Sequence, residues 1–450
     1  MTEQTAPAAG APVETPRPES DLSPRKLKIA FGCLIGLTFA TWILPVSAAS
    51  LVFLPMTQEF HWSRTEYSFH TTCHMLFGAF SAWLAGRLTD RIGAKPVVIF
   101  GAIAVGLVTL AMSRQTASLP QFYLYYALFG FFGSTWLAYT KIIAALFTQH
   151  RGKAMAILGA EQTVLAAFVP VMTNALMLHV GWRGMYVAYG VLILAVVPLL
   201  YFLLEEPGQA PAARGEKRPA FAPPPPMEGM SIGQVLRDGV FWMILLAGVV
   251  GMCLTSGMLA HMVPAYIGKG FTQTQAAETQ TLSMLFGVPG MFLGGWLIDK
   301  VHSAKVAAPF NLASSLGGFL LLIVSASFGG MPLLVASGAM TWFAFNAARP
   351  MASYFHTRFF GLRAYTEVTG VQFTIMNPVM ALSAPVVGLI YDKTHSYDIV
   401  FKLMIVTPLL AALVWLMMPK YRYSASVGVA PEAPPVSADA APAPAIAAAE

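Results

Sequence analysis

The chain has 450 residues, 56% of them apolar or aromatic and only 11% charged, with a mean hydropathy of +0.63 and a formal net charge of +6. A soluble globular chain carries about 25% charged residues, so this composition excludes a soluble enzyme. The apolar runs are long and continuous, whereas an outer-membrane barrel would alternate in polarity over strands of about ten residues.

In chain order, residues 1–24 are polar and Pro-rich and predict a disordered N-terminus. Six predicted spans follow, at 29–54, 66–88, 96–113, 120–146, 154–178 and 184–204, and six more lie at 240–265, 273–298, 306–326, 332–357, 365–391 and 397–418. Each has room for the roughly 20 apolar residues that a membrane-crossing helix needs. The first run is too long for a signal-peptide core and no small-residue cleavage site follows it, so it is expected to remain as an anchor. The fold class is therefore an all-α polytopic membrane protein with twelve transmembrane helices. Its parts are an N-terminal six-helix bundle (25–204), a linker (205–238) rich in Pro, Ala and charge, a C-terminal six-helix bundle (239–418) and a disordered Ala/Pro tail (419–450).

Charge placement predicts the orientation. With the N-terminus in the cytoplasm, 19 of the 27 Lys and Arg residues fall in or at the edge of cytoplasmic segments and six in or at the edge of external loops (Arg64, Arg114, Arg183, Lys269, Lys393 and Lys402). By the positive-inside rule both termini are expected in the cytoplasm of a bacterial-type cell (inner) membrane. The remaining two, Lys141 and Arg349, lie inside predicted spans. The three cysteines, Cys33, Cys73 and Cys253, fall in different apolar runs and imply no disulfide framework.

The halves repeat. Gly86 of GRLTDRIGAK (86–95) aligns with Gly295 of GGWLIDKVHSAK (294–305) at an offset of 209, and the same offset carries Gly152 onto Gly361. A duplicated six-helix unit implies pseudo-symmetric bundles with a binding site between them near the bilayer midplane.

These residues resemble the major facilitator superfamily. Gly86, Leu88, Asp90, Arg91, Gly93 and Lys95 match its loop signature between the second and third helices, and Gly295, Leu297, Asp299 and Lys300 form a weaker second copy. The resemblance implies a conformational latch made by Gly86, Asp90, Arg91, Gly93, Lys95, Asp299 and Lys300; the plainer alternative is a basic tight loop that only fixes topology. Within the superfamily, FLPMTQEFHWSRTEYS (53–68), RGKAMAI (151–157), GWRGMY (181–186) and GLIYDKTHSYDIVF (388–401) are similar to the monocarboxylate and oxalate:formate antiporter branch. The eighth span lacks that branch's acidic and arginine pair and the first lacks its lysine. The fifth lacks the Gly-Pro pattern of drug:proton antiporters.

A basic side chain in the hydrocarbon costs roughly 2.5–3.5 kcal/mol on insertion scales, so Lys141 and Arg349 need water, a partner or a ligand. The offset of 209 carries Lys141 to within one position of Arg349, and the resemblance places both helices around the central cavity. Together they predict a carboxylate-binding pair; Lys141 could instead snorkel, or pair with Glu161. Trp342, Asn346, Arg349, Ser353 and His356 share a helical stripe, which suits an organic anion with an apolar body, or else packs on the next helix. His261 is a weaker cavity candidate. Glu161, a carboxylate well inside a span, and His74 are the candidates for proton coupling, with a structural role for each as the alternative. HTTCH (70–74) lacks a further ligand at usable spacing, so no metal is expected, and neither a cofactor nor a nucleic-acid partner is implied. The expected function is alternating-access transport of a small organic anion, a mono- or dicarboxylate or aromatic acid, by proton-coupled uptake through a monomer in the lipid bilayer. An exporter of hydrophobic compounds and a membrane-embedded sensor are the alternatives.

Overall fold

The structure is a computed structural model. It describes residues 23–147, 151–205, 229–361 and 363–423, apart from the side chains of Trp83, Asp90, Leu137, Ala144, Ala145, 151–163, Leu165, Asp299, Arg349, Pro350, Ser353 and Thr366. The predicted disordered N-terminus, most of the linker and nearly all of the tail lie outside the described residues, as do the side chains of Glu161, Asp90, Asp299 and Arg349.

The described residues are almost wholly helical. In chain order they form α1 (Pro24–Phe39), α2 (Ile43–Ser47), α3 (Ala49–Phe60), α4 (Arg64–Ile92), α5 (Ala94–Met112), α6 (Leu119–Gly133), α7 (Trp136–Leu146), α8 (Arg151–Leu203) and α9 (Ile232–Leu236). There follow α10 (Gly239–Gly268), α11 (Gln273–Leu285), α12 (Gly287–Lys300), a 3-10 turn (Ala304–Ala307), α13 (Ala308–Ile323), α14 (Gly330–Phe360), α15 (Tyr365–Thr394) and α16 (Asp398–Leu416).

Each of the twelve predicted spans coincides with helix, and nine described stretches are long and apolar enough to cross a membrane. The difference in number has local causes. The charged residues Glu66, Arg87 and Arg91 and the histidines at 70 and 74 make α4 less apolar, and the Ser134–Thr135 bend divides the fourth span into α6 and α7. The fifth and sixth spans run together as α8, broken at Gly181, whose φ of 69° and ψ of 176° suit a residue without Cβ. The end of the predicted linker is the short helix α9. Ser231 and Gln234 form its capping box, and Val235 is buried.

Several hydroxyls inside the helices find their acceptors locally. Those of Thr38, Thr109, Thr341 and Thr407 donate to the carbonyl four residues earlier, as a chain without access to water requires.

Two compact units are present. The first takes the described residues of Met1–Val52 and Cys73–Gly215; its core joins Ile29, Cys33 and Leu37 of α1 to Val98 and Ala102 of α5, Tyr139 and Ile142 of α7 and Leu200 of α8. Arg25 and Glu205, paired at 2.6 Å, tie the two ends of this set together. The second unit takes Phe53–Thr72 with the described residues of Glu216–Glu450, and its core is built from Phe241, Ile244, Phe310, Ala347, Phe355, Val368 and Trp415. Large apolar side chains also cover the outside of both units, with Phe202 71% and Met417 74% exposed. A soluble monomer does not sustain such a surface, whereas hydrocarbon solvates it.

Candidate functional site

Of the two predicted cations, the described side chains include that of Lys141 alone. The exposed Lys141, on α7, reaches the Thr89 carbonyl near the end of α4, with Nζ at 3.4 Å. That contact lies beside the loop signature and is a capping type of contact for an ammonium at a helix C-terminal turn. Arg349 is on α14, 19 positions past its first residue, and its side chain lies outside the described residues.

On the same helix Trp342 is half-buried and stacks edge-on to Phe345, 5.9 Å between centroids. Asn346 is buried, donates back to the Trp342 carbonyl at 3.1 Å and packs beside Gly287 at the start of α12. His356, lower on the stripe, shares a hydrogen bond with Thr369 at 3.1 Å.

In the first unit the His74 ring lies edge-on to Trp42, 5.2 Å between centroids, and its buried Nε2 has no hydrogen-bond partner among the described residues. The signature loop turns at Gly93, with φ 99°, which separates α4 from α5. Arg91 is exposed, Gly86 faces open space, and Lys95 sits over the Tyr201 ring at 4.3 Å. Lys300, at the end of α12, is exposed. Among the described residues no group of His, Cys, Asp and Glu is arranged to hold a metal ion.

A dense polar arrangement lies in the second unit around Arg64 and Asp392, which were not singled out as site residues, and it takes in His261. The chain leaves α3 through His61, in the left-handed region at φ 54°, and α4 starts with a capping box: Ser63 N–H donates to Glu66 Oε2 at 2.8 Å, and Glu66 N–H to Ser63 Oγ at 3.1 Å. The next two amides of α4 are taken by Asp392, near the end of α15. Its Oδ1 accepts from Arg64 N–H at 3.0 Å; its Oδ2 accepts from Thr65 N–H at 2.9 Å and from the Thr65 hydroxyl at 2.5 Å. A carboxylate at unsatisfied N-terminal amides gains both hydrogen bonds and the favourable end of the helix dipole. Gly388, one turn earlier on α15, makes the approach possible, since a Cβ there would come within 2.8 Å of the Arg64 backbone.

The Arg64 side chain closes the other side of this clasp. Its guanidinium lies over the Tyr391 ring, 3.4 Å from the centroid, and Nη1 donates to the Tyr397 hydroxyl. The Tyr397 hydroxyl accepts from Arg64 and has its own proton left to donate in turn. The recipient is His261 on α10, whose Nδ1 is 2.9 Å away.

His261 Nε2 meets the Ala384 carbonyl at 3.0 Å and Ser68 Oγ at 2.8 Å, while Ser68 itself donates to the Arg64 carbonyl at 2.6 Å. A carbonyl can only accept, so these partners assign the ring proton to Nε2. His261 is fully buried, with both ring nitrogens occupied in this closed network. The sequence signal for the clasp was the pair of branch-like motifs 53–68 and 388–401. Each is unremarkable alone, and folding joins them through Arg64 and Asp392.

Comparison with known proteins places this geometry in context. The family model described as Major Facilitator Superfamily matches residues 30–308, more than half of the chain. An uncharacterized MFS-type transporter of Bacillus subtilis is 23% identical over 385 residues, covering 81% of this chain and 88% of the relative. The gallate transporter of Pseudomonas putida is 24% identical, covering 67% and 71%, and monocarboxylate transporter 11 of Mus musculus is 25% identical, covering 71% of each. Among solved structures, a bacterial homolog of the human lysosomal transporter Spinster superposes with a TM-score of 0.69 at 15% identity, covering 88% of this chain and 98% of that one.

Proposed function

We propose a cargo and a route from one premise: the chain belongs to the Major Facilitator Superfamily and is a multi-pass membrane transporter. Its cargo is a small organic anion carrying a carboxylate, taken up with protons by alternating access. The observation that carries this reading is the arginine at position 349, retained in the interior of α14, in a chain similar to proteins named for gallate and for monocarboxylates. An arginine kept at such a depth, against an insertion cost of roughly 2.5–3.5 kcal/mol, is accounted for by an anion that comes and goes. A guanidinium holds a carboxylate in a two-point fork, and the neighbouring Trp342 offers an apolar face to the rest of the molecule. Lys141 is assigned a supporting charge, and Asn346 a positioning role on the same helix.

The membrane is a bacterial-type inner membrane with both termini in the cytoplasm, on the strength of the Lys and Arg bias. The clasp at Arg64 and Asp392 then belongs to the external side. The stretch 53–72 packs with the second unit and is continuous at both ends with residues of the first. We assign the clasp the role of an external gate that holds one state of the cycle and lets go in the other. The signature residues Asp90, Arg91, Asp299 and Lys300 are assigned the corresponding cytoplasmic latch.

The test is uptake into proteoliposomes of the full chain, with labelled benzoate and lactate as probes and the corresponding neutral amides as controls. Accumulation of at least one acid, rising with an inward proton gradient and absent for its amide, is expected; equal behaviour of acid and amide overturns the cargo. Glu161→Gln is expected to lower gradient-driven accumulation by roughly tenfold while exchange of acid for acid stays within about twofold. A gradient response equal to that of the unsubstituted protein removes Glu161 from coupling and leaves His74 as the group to replace.

A further inference from the structure

At one end of the second unit, the chain following α16 folds back over the end of α14: the Arg358 carbonyl accepts from Arg422 N–H at 3.1 Å and from Tyr423 N–H at 3.0 Å. Beneath this strap is a recess of about 730 Å³ whose lining includes His302, Ser303, Lys305, Arg358, Lys420 and Arg422 and, among the described residues, no carboxylate. Arg422 is neutralised on its outer side by Asp238, with Nη2 to Oδ1 at 3.2 Å, and Lys305 and Lys420 are exposed.

Arg358 differs from these. It is only 6% exposed, and its Nε and Nη1 are buried with no hydrogen-bond partner among the described residues. The guanidinium rests on the rings of Tyr421 and Tyr354, at 4.9 and 5.6 Å from their centroids, which orient it and offer it no acceptor. A buried charge with open donors is costly unless an anion completes it. Met418 and Pro419 line the recess, and they come just after α16, whose exposed side chains include Leu409, Leu413 and Leu416.

We propose that this recess is a binding site for the phosphate of an anionic phospholipid headgroup, with Arg358 as the inner ligand, Lys305 and Lys420 as outer charges, and the lipid's chains lying along α16. The shared chemistry is a phosphate anion, which an arginine fork and flanking ammonium groups recognise. The lipid is favoured over a free phosphate because the lining residues Met418 and Pro419 come just after α16, which exposes those leucines. The site is separate from the cargo position on α14 and does not depend on what is carried.

The experiment is native mass spectrometry of the full chain in detergent with equal amounts of phosphatidylglycerol and phosphatidylcholine, repeated with added inorganic phosphate. The unsubstituted protein is expected to retain phosphatidylglycerol with roughly tenfold preference. Arg358→Gln and the exposed double variant Lys305→Gln/Lys420→Gln reduce the preference to about twofold or less, while Lys402→Gln, an exposed charge on another part of α16, leaves it unchanged. If Arg358→Gln does not fold, the double variant gives the answer alone. Displacement of the lipid by millimolar inorganic phosphate, lost in the same variants, supports the anion site and reassigns its source to free phosphate. Equal lipid preference in the unsubstituted protein, the double variant and the control overturns the proposal.

Discussion

Arg349→Ala, reconstituted in proteoliposomes, takes up carboxylate at least about 100-fold more slowly than the unsubstituted protein and is inserted in equal amount. The size follows from the cost of removing one partner of a desolvated charge pair, about 3–5 kcal/mol, at 1.4 kcal/mol for each tenfold. Insertion does not suffer, because deleting a cation from a helix interior removes a penalty of roughly 2.5–3.5 kcal/mol. Arg349→Lys separates charge from shape: the ammonium restores attraction but not the two-point fork, so uptake recovers to within roughly tenfold of the unsubstituted protein. The measurement is initial uptake rate against acid concentration, with protein quantified in the same vesicles. Rates equal to those of the unsubstituted protein in Arg349→Ala would remove this residue from the cargo site and leave an anionic cargo resting on the relatives alone.

Asp392→Ala abolishes protection of the α4 N-terminus and stalls transport. Three donors lose their acceptor at once: the amides of Arg64 and Thr65 and the Thr65 hydroxyl. A hydrogen bond to a charged group contributes about 1.5–3 kcal/mol, and a helix cap about 0.5–2 kcal/mol. A combined loss of about 3 kcal/mol shifts the balance between clasped and open states by roughly 100-fold. Hydrogen exchange of the peptide covering 61–72 is therefore expected to quicken by at least about tenfold. Uptake falls because a carrier biased to one state completes few cycles.

Asp392→Asn, whose carbonyl oxygen can still accept from one amide, lies between the two. Exchange in 61–72 that is unchanged in Asp392→Ala would mean that the capping box at Ser63 and Glu66 holds the helix start without the clasp. Normal uptake together with fast exchange would separate the clasp from the transport cycle.

Much of the architecture was legible in one dimension because hydrocarbon imposes a simple rule. Every backbone donor must be paired within its own segment, so a long apolar run is a helix, and each of the twelve predicted stretches is helical. The loop signature at Gly86–Lys95 and the doubled landmarks at an offset of 209 pointed to the superfamily by the same regularity, and the family comparison agrees. Side-chain partners were less legible. Lys141 reaches the Thr89 carbonyl across two helices, a partner not among those its place in the sequence suggested, which were a ligand carboxylate, the membrane interface by snorkelling, and Glu161. His261, read as a cavity candidate, is enclosed by Ser68, Tyr397 and the Ala384 carbonyl.

The sequence by itself determined the solvent this chain lives in, the placement and order of its helical stretches and the family to which it belongs, because hydropathy and short loop motifs are local properties. Only the tertiary structure decided that Asp392 caps a helix 328 positions earlier in the chain, and that Arg358 is buried under a strap formed by residues 421–423. Hydrogen bonds and charge pairs act over a few ångströms in space and carry no record of the distance along the chain. For that reason a single sequence shows which residues are able to form them and leaves the choice of partner to the fold.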